Sequence, residues 1–230
     1  MTKSIELLRP SQIRAALAER SLVYLPLGTI EWHCAHLPVG LDGLTAHGLC
    51  LRAAEKTQGL VWPTLYYGTG GDHGDYPWTV MMDGPEQLEM LLRKTLSRLA
   101  ELKVKRAVLF SGHFAGTQLE MIDRLGAETD AVSGLSVVAT AVNRFDVPGF
   151  TPDHAGRFET TLLAGLSPDT IDLAALPARR PDDEQRSRHD PSHPLWGVIG
   201  ADPRDASLAD GPKLVEEIAI KLAALATAEI

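Results

Sequence analysis

Between Glu31 and Asp42 the chain reads Glu-Trp-His33-Cys-Ala-His36-Leu-Pro-Val-Gly-Leu-Asp, two carboxylates bracketing two imidazoles. Carboxylate oxygens and neutral imidazole nitrogens suit zinc, manganese or iron(II). Glu31 and His33 alternate, so on an extended backbone both point the same way and can serve one ion or two adjacent ones. Asp42 has two oxygens and can bridge a metal pair, an arrangement that polarises a carbonyl and generates hydroxide from bound water. Later segments offer more of the same chemistry. His113 lies in Ser111-Gly-His-Phe-Ala-Gly116, where small residues permit a tight turn before a helix, and His154 and Glu159 share one short stretch.

Elements that could position these groups are legible in the hydrophobic pattern. Branched apolar runs at 22–27, 60–66, 106–110 and 135–142 read as strands buried on both faces. Helical spacing covers 11–19, 44–57, 85–102, 117–129 and 212–227, the third opening on a cap with proline in its first turn. The alternation predicts one α/β domain over residues 1–230 with a mostly parallel sheet between helices. Ligands of such sheets collect beyond the C-terminal strand ends. Glu31 and His33 follow the first strand, His73 the second and His113 the third, while His154 and Glu159 follow the fourth after a loop.

Composition excludes several alternatives. Lys plus Arg number 22 against 30 for Asp plus Glu, a formal charge of -8, and no basic face is available to track phosphates. No apolar run is long enough to span a bilayer, and the first residues lack the apolar core of a secretory signal, so the expectation is a cytoplasmic protein with neither nucleic-acid nor membrane partners. Cys34 and Cys50 lack CxxC spacing, and Cys34 reads as a small core-facing residue because no third group orients it as a nucleophile. Glycines 68, 70, 71 and 74 do not open a helix, so a dinucleotide-fingerprint reading is weak.

The remaining aromatic and imidazole residues take more ordinary assignments. His36 reads as a hydrogen-bond partner of the ligands, His47 as structural or surface, and His73 as either pocket lining or simple loop. His189 and His193 fall in a polar excursion at 177–194 and are expected in solvent. Trp32 and Trp62 belong to the core by their usual habit, whereas Trp78 and Trp196 are placed to close over a substrate.

Four separated motifs resemble the creatininase family. Gly28-Thr-Ile-Glu31-Trp-His33-Cys-Ala-His36-Leu-Pro-Val-Gly-Leu-Asp42 is similar to G-S-x-E-Q-H-G-P-H-L-P-L-G-T-D, and Ser111-Gly-His113 to N-G-H. His154-Ala-Gly-Arg-Phe-Glu159-Thr-Thr resembles H-A-G-x-x-E-T-S, and Gly197-Val-Ile-Gly-Ala-Asp-Pro203 resembles the closing signature. The resemblance implies a three-layer α/β/α sandwich and a metal-dependent amidohydrolase with two divalent ions per chain (Zn, Mn or Fe). Its substrate would be a small cyclic or linear amide such as a lactam or formamide, cleaved by metal-bound hydroxide. By motif, Glu31, Asp42 and His113 would hold one ion and His33 with bridging Asp42 the other. The family glutamate two residues past the N-G-H histidine is Ala115 here, leaving Glu159 as the substitute ligand. His154 matches the catalytic histidine, suited to passing a proton to the departing nitrogen.

The resemblance also implies a homo-oligomer, often a hexamer. Ser111, Phe114, Ala115 and Gly116 depart from the pattern and motivate an alternative, a non-catalytic small-ligand-binding member with a partly degraded metal site. Phe114 is expected to line the pocket, and Arg157, at a position often acidic in the family, to favour an anionic substrate.

Overall fold

The run Leu-Val-Tyr-Leu-Pro-Leu offers water no charged side, and it forms a strand, β1 (Leu22–Leu27), buried along its whole length. The structure, a computed structural model, describes residues 3–228. In chain order the elements are α1 (Pro10–Glu19), β1, α2 (Leu41–Thr57), β2 (Leu60–Val61), β3 (Gly68–Thr69), β4 (Met81–Met82) and α3 (Glu86–Glu101). There follow β5 (Arg106–Ser111), α4 (Gly116–Ser133), β6 (Ser136–Ala141), α5 (Arg157–Ala164) and α6 (Gly211–Thr227). The main sheet is parallel in the order β2-β1-β5-β6, with Leu22 opposite Arg106 and Leu27 opposite Ser111.

Alternation along β1 and β5 divides the core in two. Leu22, Tyr24, Val108 and Phe110 pack with Leu49 of α2, Phe158 of α5 and Ile218 of α6 on one face. Val23, Leu25, Ala107 and Leu109 pack with Leu92 and Leu96 of α3 and Ile122 of α4 on the other. This is the expected three-layer α/β/α arrangement.

Four local expectations change. The second strand stops after two residues: Trp62 donates to Tyr24 of β1, but past Pro63 the next donor to β1 is Leu65, to Pro26, one residue beyond the regular two-residue step. His73 therefore follows β3 of the small parallel pair β3–β4, in the connection to β4, not a strand of the main sheet. Helix α2 begins early enough to include Asp42 in its first turn, where a carboxylate complements the helix dipole. Helix α5 was not anticipated: seven of its eight residues are buried, so it shows no amphipathic stripe.

The excursion at 177–194 is tied down by Arg204, whose guanidinium donates to Asp183 at 3.2 Å and Asp202 at 2.7 Å. His193 is consequently buried, contrary to the sequence expectation. Its Nε2–H donates to the Asp183 carbonyl at 3.0 Å, and its Nδ1 accepts from the Leu195 N–H at 2.8 Å. His189 is exposed as expected, and Cys34 and Cys50 are buried free thiols. Among the described residues no helix is long and apolar enough to cross a membrane.

Two glycines fix the approach of α2 to the sheet. A Cβ at Gly28, just past β1, would meet the Gly43 nitrogen at 2.2 Å, and one at Gly112, just past β5, would meet the Asp42 carbonyl oxygen at 2.1 Å. Bare backbone at both strand ends is what lets Asp42 reach the sheet edge.

Candidate metal centre

Beyond the ends of β1 and β5, Glu31, His33, Asp42, His113 and Glu159 converge, all buried. His113 Nδ1 lies 3.0 Å from Glu31 Oε2 and 3.3 Å from Asp42 Oδ2. His33 Nε2 lies 3.3 Å from Asp42 Oδ1 and 3.7 Å from Glu159 Oε2. The two oxygens of Asp42 thus face two different imidazoles.

Backbone carbonyls orient four histidines around this point. His33 Nδ1–H donates to the Glu31 carbonyl at 2.9 Å, and His113 Nε2–H to that of Gly70 at 3.1 Å. His154 Nε2–H donates to the Trp32 carbonyl at 3.1 Å, and His73 Nε2–H to that of Gly197 at 2.9 Å. A carbonyl can only accept, so each contact fixes a proton on one ring nitrogen and turns the other toward the carboxylates. Metal-binding histidines are oriented in the same way. Glu31 Oε2, His33 Nε2 and Asp42 Oδ2 are buried without a hydrogen-bond partner, a costly state that a divalent cation between them relieves. The donor set therefore fits a metal.

The charges agree with that fit. Burial opposes ionisation of Glu31, yet His113 and His73 beside it hold its carboxyl well below the usual range. Burial likewise opposes a charge on His33, but Asp42 above all, with Glu159 and Glu31, pushes it up to about 10. Burial raises Glu159 well above an ordinary glutamate. A proton and a metal ion compete for the same lone pairs, and the carboxylates attract either.

Local structure explains how the later site residues arrive. Ser111 Oγ–H donates to the His113 carbonyl and accepts from Gln118 Nε2 at 2.8 Å, which pins the turn between β5 and α4. Asp153 was missed by sequence reasoning. Its carboxylate accepts the N–H groups of Phe158 at 2.9 Å and Glu159 at 3.3 Å, while Glu159 Oε2 accepts that of Ala155 at 2.6 Å. This reciprocal cap starts α5 and sets His154 and Glu159 on one side of a turn; the Asp-x-x-x-x-x-Glu spacing was its only signal.

A cavity of about 120 Å³ opens onto the centre, lined by Glu31, Asp42, His73, His113, His154 and Glu159 together with Gly71, Asp72, Phe114, Ala115 and Ile199. Phe114 lines it as expected, and His73 is lining as well. Arg157 is a correction: it is exposed, its guanidinium 5.8 Å above the Phe150 ring, and no Lys or Arg lines the cavity. His36 lies behind the centre, its Nε2 at 2.9 Å from Thr160 Oγ1, and half-buried His47 pairs with Thr64. Trp196 stacks on Tyr76 with ring centroids 4.9 Å apart and packs against Trp32 at 5.0 Å, whereas Trp78 is 77% exposed.

An α/β sheet whose strand ends assemble buried carboxylates and backbone-oriented imidazoles marks a candidate divalent-metal centre. The family model for creatininase, creatinine amidohydrolase, matches residues 6–226. The chain is 32% identical over 176 residues to a creatinine amidohydrolase of Pseudomonas putida, covering 66% of each chain. It is 29% identical over 223 residues to a mycofactocin precursor peptide peptidase of Mycolicibacterium smegmatis, covering 86% of this chain and 81% of that one. A solved manganese form of creatininase superposes with a TM-score of 0.77 at 25% identity, over 97% of this chain and 96% of that one. The chain belongs to the creatininase family, a family of hydrolases.

Proposed function

We propose that the chain is a metal-dependent amidohydrolase that cleaves a C–N bond in a small cyclic or linear amide, such as a lactam or formamide. The observation that carries this reading is the set of imidazoles turned by backbone carbonyls toward buried, unpartnered carboxylate oxygens. In this reading Glu31, Asp42 and His113 hold one ion, and His33, Asp42 and Glu159 hold a second. A divalent ion bound there supplies Lewis acidity toward a carbonyl oxygen and acidifies water. The cavity of about 120 Å³ is well below the roughly 300 Å³ at which drug-sized ligands begin to fit, so it suits a compact amide or a chain end.

His154 is the proton carrier. With Nε2–H donated to Trp32, its Nδ1 is the nitrogen able to exchange a proton with substrate. Burial, then the neighbouring His33, pushes its pKa down to about 3, so the ring waits neutral and can accept a proton before passing it to the departing nitrogen. A homo-oligomer, a single domain and a cytoplasmic setting complete the proposal.

Two variants test it together. His154→Ala is expected to keep its metal while kcat falls roughly 10²- to 10⁴-fold, the usual scale of general acid–base catalysis. His113→Ala is expected to lose metal and turnover together. Elemental analysis alongside a panel of lactams, formamides and short peptides reads both effects. Less than one equivalent of metal in the unaltered protein, with no turnover on the panel, would instead favour the small-ligand-binding alternative that Ala115 motivates.

A further inference from the structure

The loop that carries His73 is built to hold the centre from outside. Gly70 and Gly71 adopt positive φ of 77° and 103°. A Cβ at Gly70 would strike Thr117 at 2.8 Å, so only glycine lets its carbonyl approach His113. Three residues on, His73 lies between two oxygens that belong to distant parts of the chain. Its Nε2–H donates to Gly197 at 2.9 Å, and its Nδ1 lies 3.3 Å from Glu31 Oε1, to which it donates when both ring nitrogens carry protons. The ring cannot swing aside, because His154 stacks on it at 4.2 Å and Tyr76 packs edge-on at 4.6 Å.

Glu31 thereby has two distinct oxygens. Oε2 faces His113 and is buried without a hydrogen-bond partner, whereas Oε1 faces His73. A ligating carboxylate holds its ion best when its other oxygen is itself held, and losing such outer support typically weakens metal affinity about 10- to 100-fold. Gly197 is equally constrained. It has φ 87°, and a Cβ there would meet the Trp32 ring at 2.8 Å, so its carbonyl is fixed by close packing of the segment that Arg204 ties down.

We propose that His73 is a positioning residue that clamps Glu31, and that the 177–205 segment governs metal retention through the Gly197 carbonyl. This rests on the metal reading above and adds a residue and a segment to it. Through Gly197, His73 and Glu31, a displacement of the surface segment is felt at the ions.

The test titrates zinc into chelator-stripped full-length protein against a chromophoric competitor. His73→Ala is expected to bind the same number of ions with about 10- to 100-fold weaker affinity at the tightest site. His73→Gln, whose amide can still reach Glu31, recovers part of the loss, and Gly197→Ala shifts affinity in the same direction as His73→Ala. Melting of the stripped variants is expected to stay within a few degrees of the parent, which separates clamping from general destabilisation. Unchanged affinity in His73→Ala overturns the proposal. So does the loss of one whole ion per chain, which would make His73 a ligand, or a fall in affinity matched by loss of fold in the stripped protein. An unaltered protein that takes up no zinc overturns the metal reading itself, a different result from a parent that binds normally beside an indifferent variant.

Discussion

Asp42→Ala is expected to empty the centre of both proposed ions and to lower turnover by roughly 10²- to 10³-fold or more, the scale on which losing a single preorganised electrostatic contact is felt. Asp42 is 1% exposed, and its two oxygens face His33 and His113 separately, so no neighbouring carboxylate can replace it at both. Of these two imidazoles, Glu31 comes within ion-pair distance of His113 alone, and Glu159 of His33 alone. The effect should therefore exceed that of Glu159→Ala, which removes a ligand from one position. Metal content by elemental analysis, with kcat on any turned-over amide, measures it. Retention of one full equivalent in Asp42→Ala would show that Asp42 does not bridge.

Gly112→Ala is expected to cost about 3 kcal/mol or more, because the new methyl meets fixed backbone instead of a side chain that can move. Its Cβ would stand 2.1 Å from the Asp42 carbonyl oxygen, at the contact between the end of β5 and the start of α2. For a chain of this length, that cost corresponds to a melting temperature lowered by roughly 6–12 °C. Thermal unfolding of the stripped proteins isolates this effect from metal binding. A melting temperature within a degree or two of the parent would refute the close approach.

These effects show which features could be read from the chain and which could not. Strands β1 and β5 were legible because both faces are buried, so every residue had to be apolar or sheltered. The same completeness of burial concealed α5, whose Thr160 and Thr161 face protein and leave no polar face to mark a period. Strand β2 ends where its pairing with β1 slips by one residue between Trp62 and Leu65, a shift that the apolar run does not reveal.

Among the site residues, Glu31, His33 and Asp42 were legible as a cluster because they fall within twelve residues, although Asp42 also needs the close approach of α2 at Gly28 and Gly112. His73 was ambiguous for a physical reason. Its importance lies in Gly197 and Glu31, partners far away in sequence, and nothing in a glycine-rich loop announces them. Arg157 misled in the opposite sense: its position in a motif said nothing about its direction, and the first turn of α5 points it away from the cavity toward Phe150.

The carbonyls that orient the histidines belong to Glu31, Trp32, Gly70 and Gly197, so the centre gathers backbone from both ends of the chain as well as side chains. Ions seated there would act as a staple, closing loops that span most of the sequence. Closing long loops removes the most freedom from an unfolded chain, and metal affinity is then also folding free energy. Such a protein would keep its catalytic group and its structural cross-link in the same few atoms, so that stripping the ions loosens the architecture as well as stopping the chemistry.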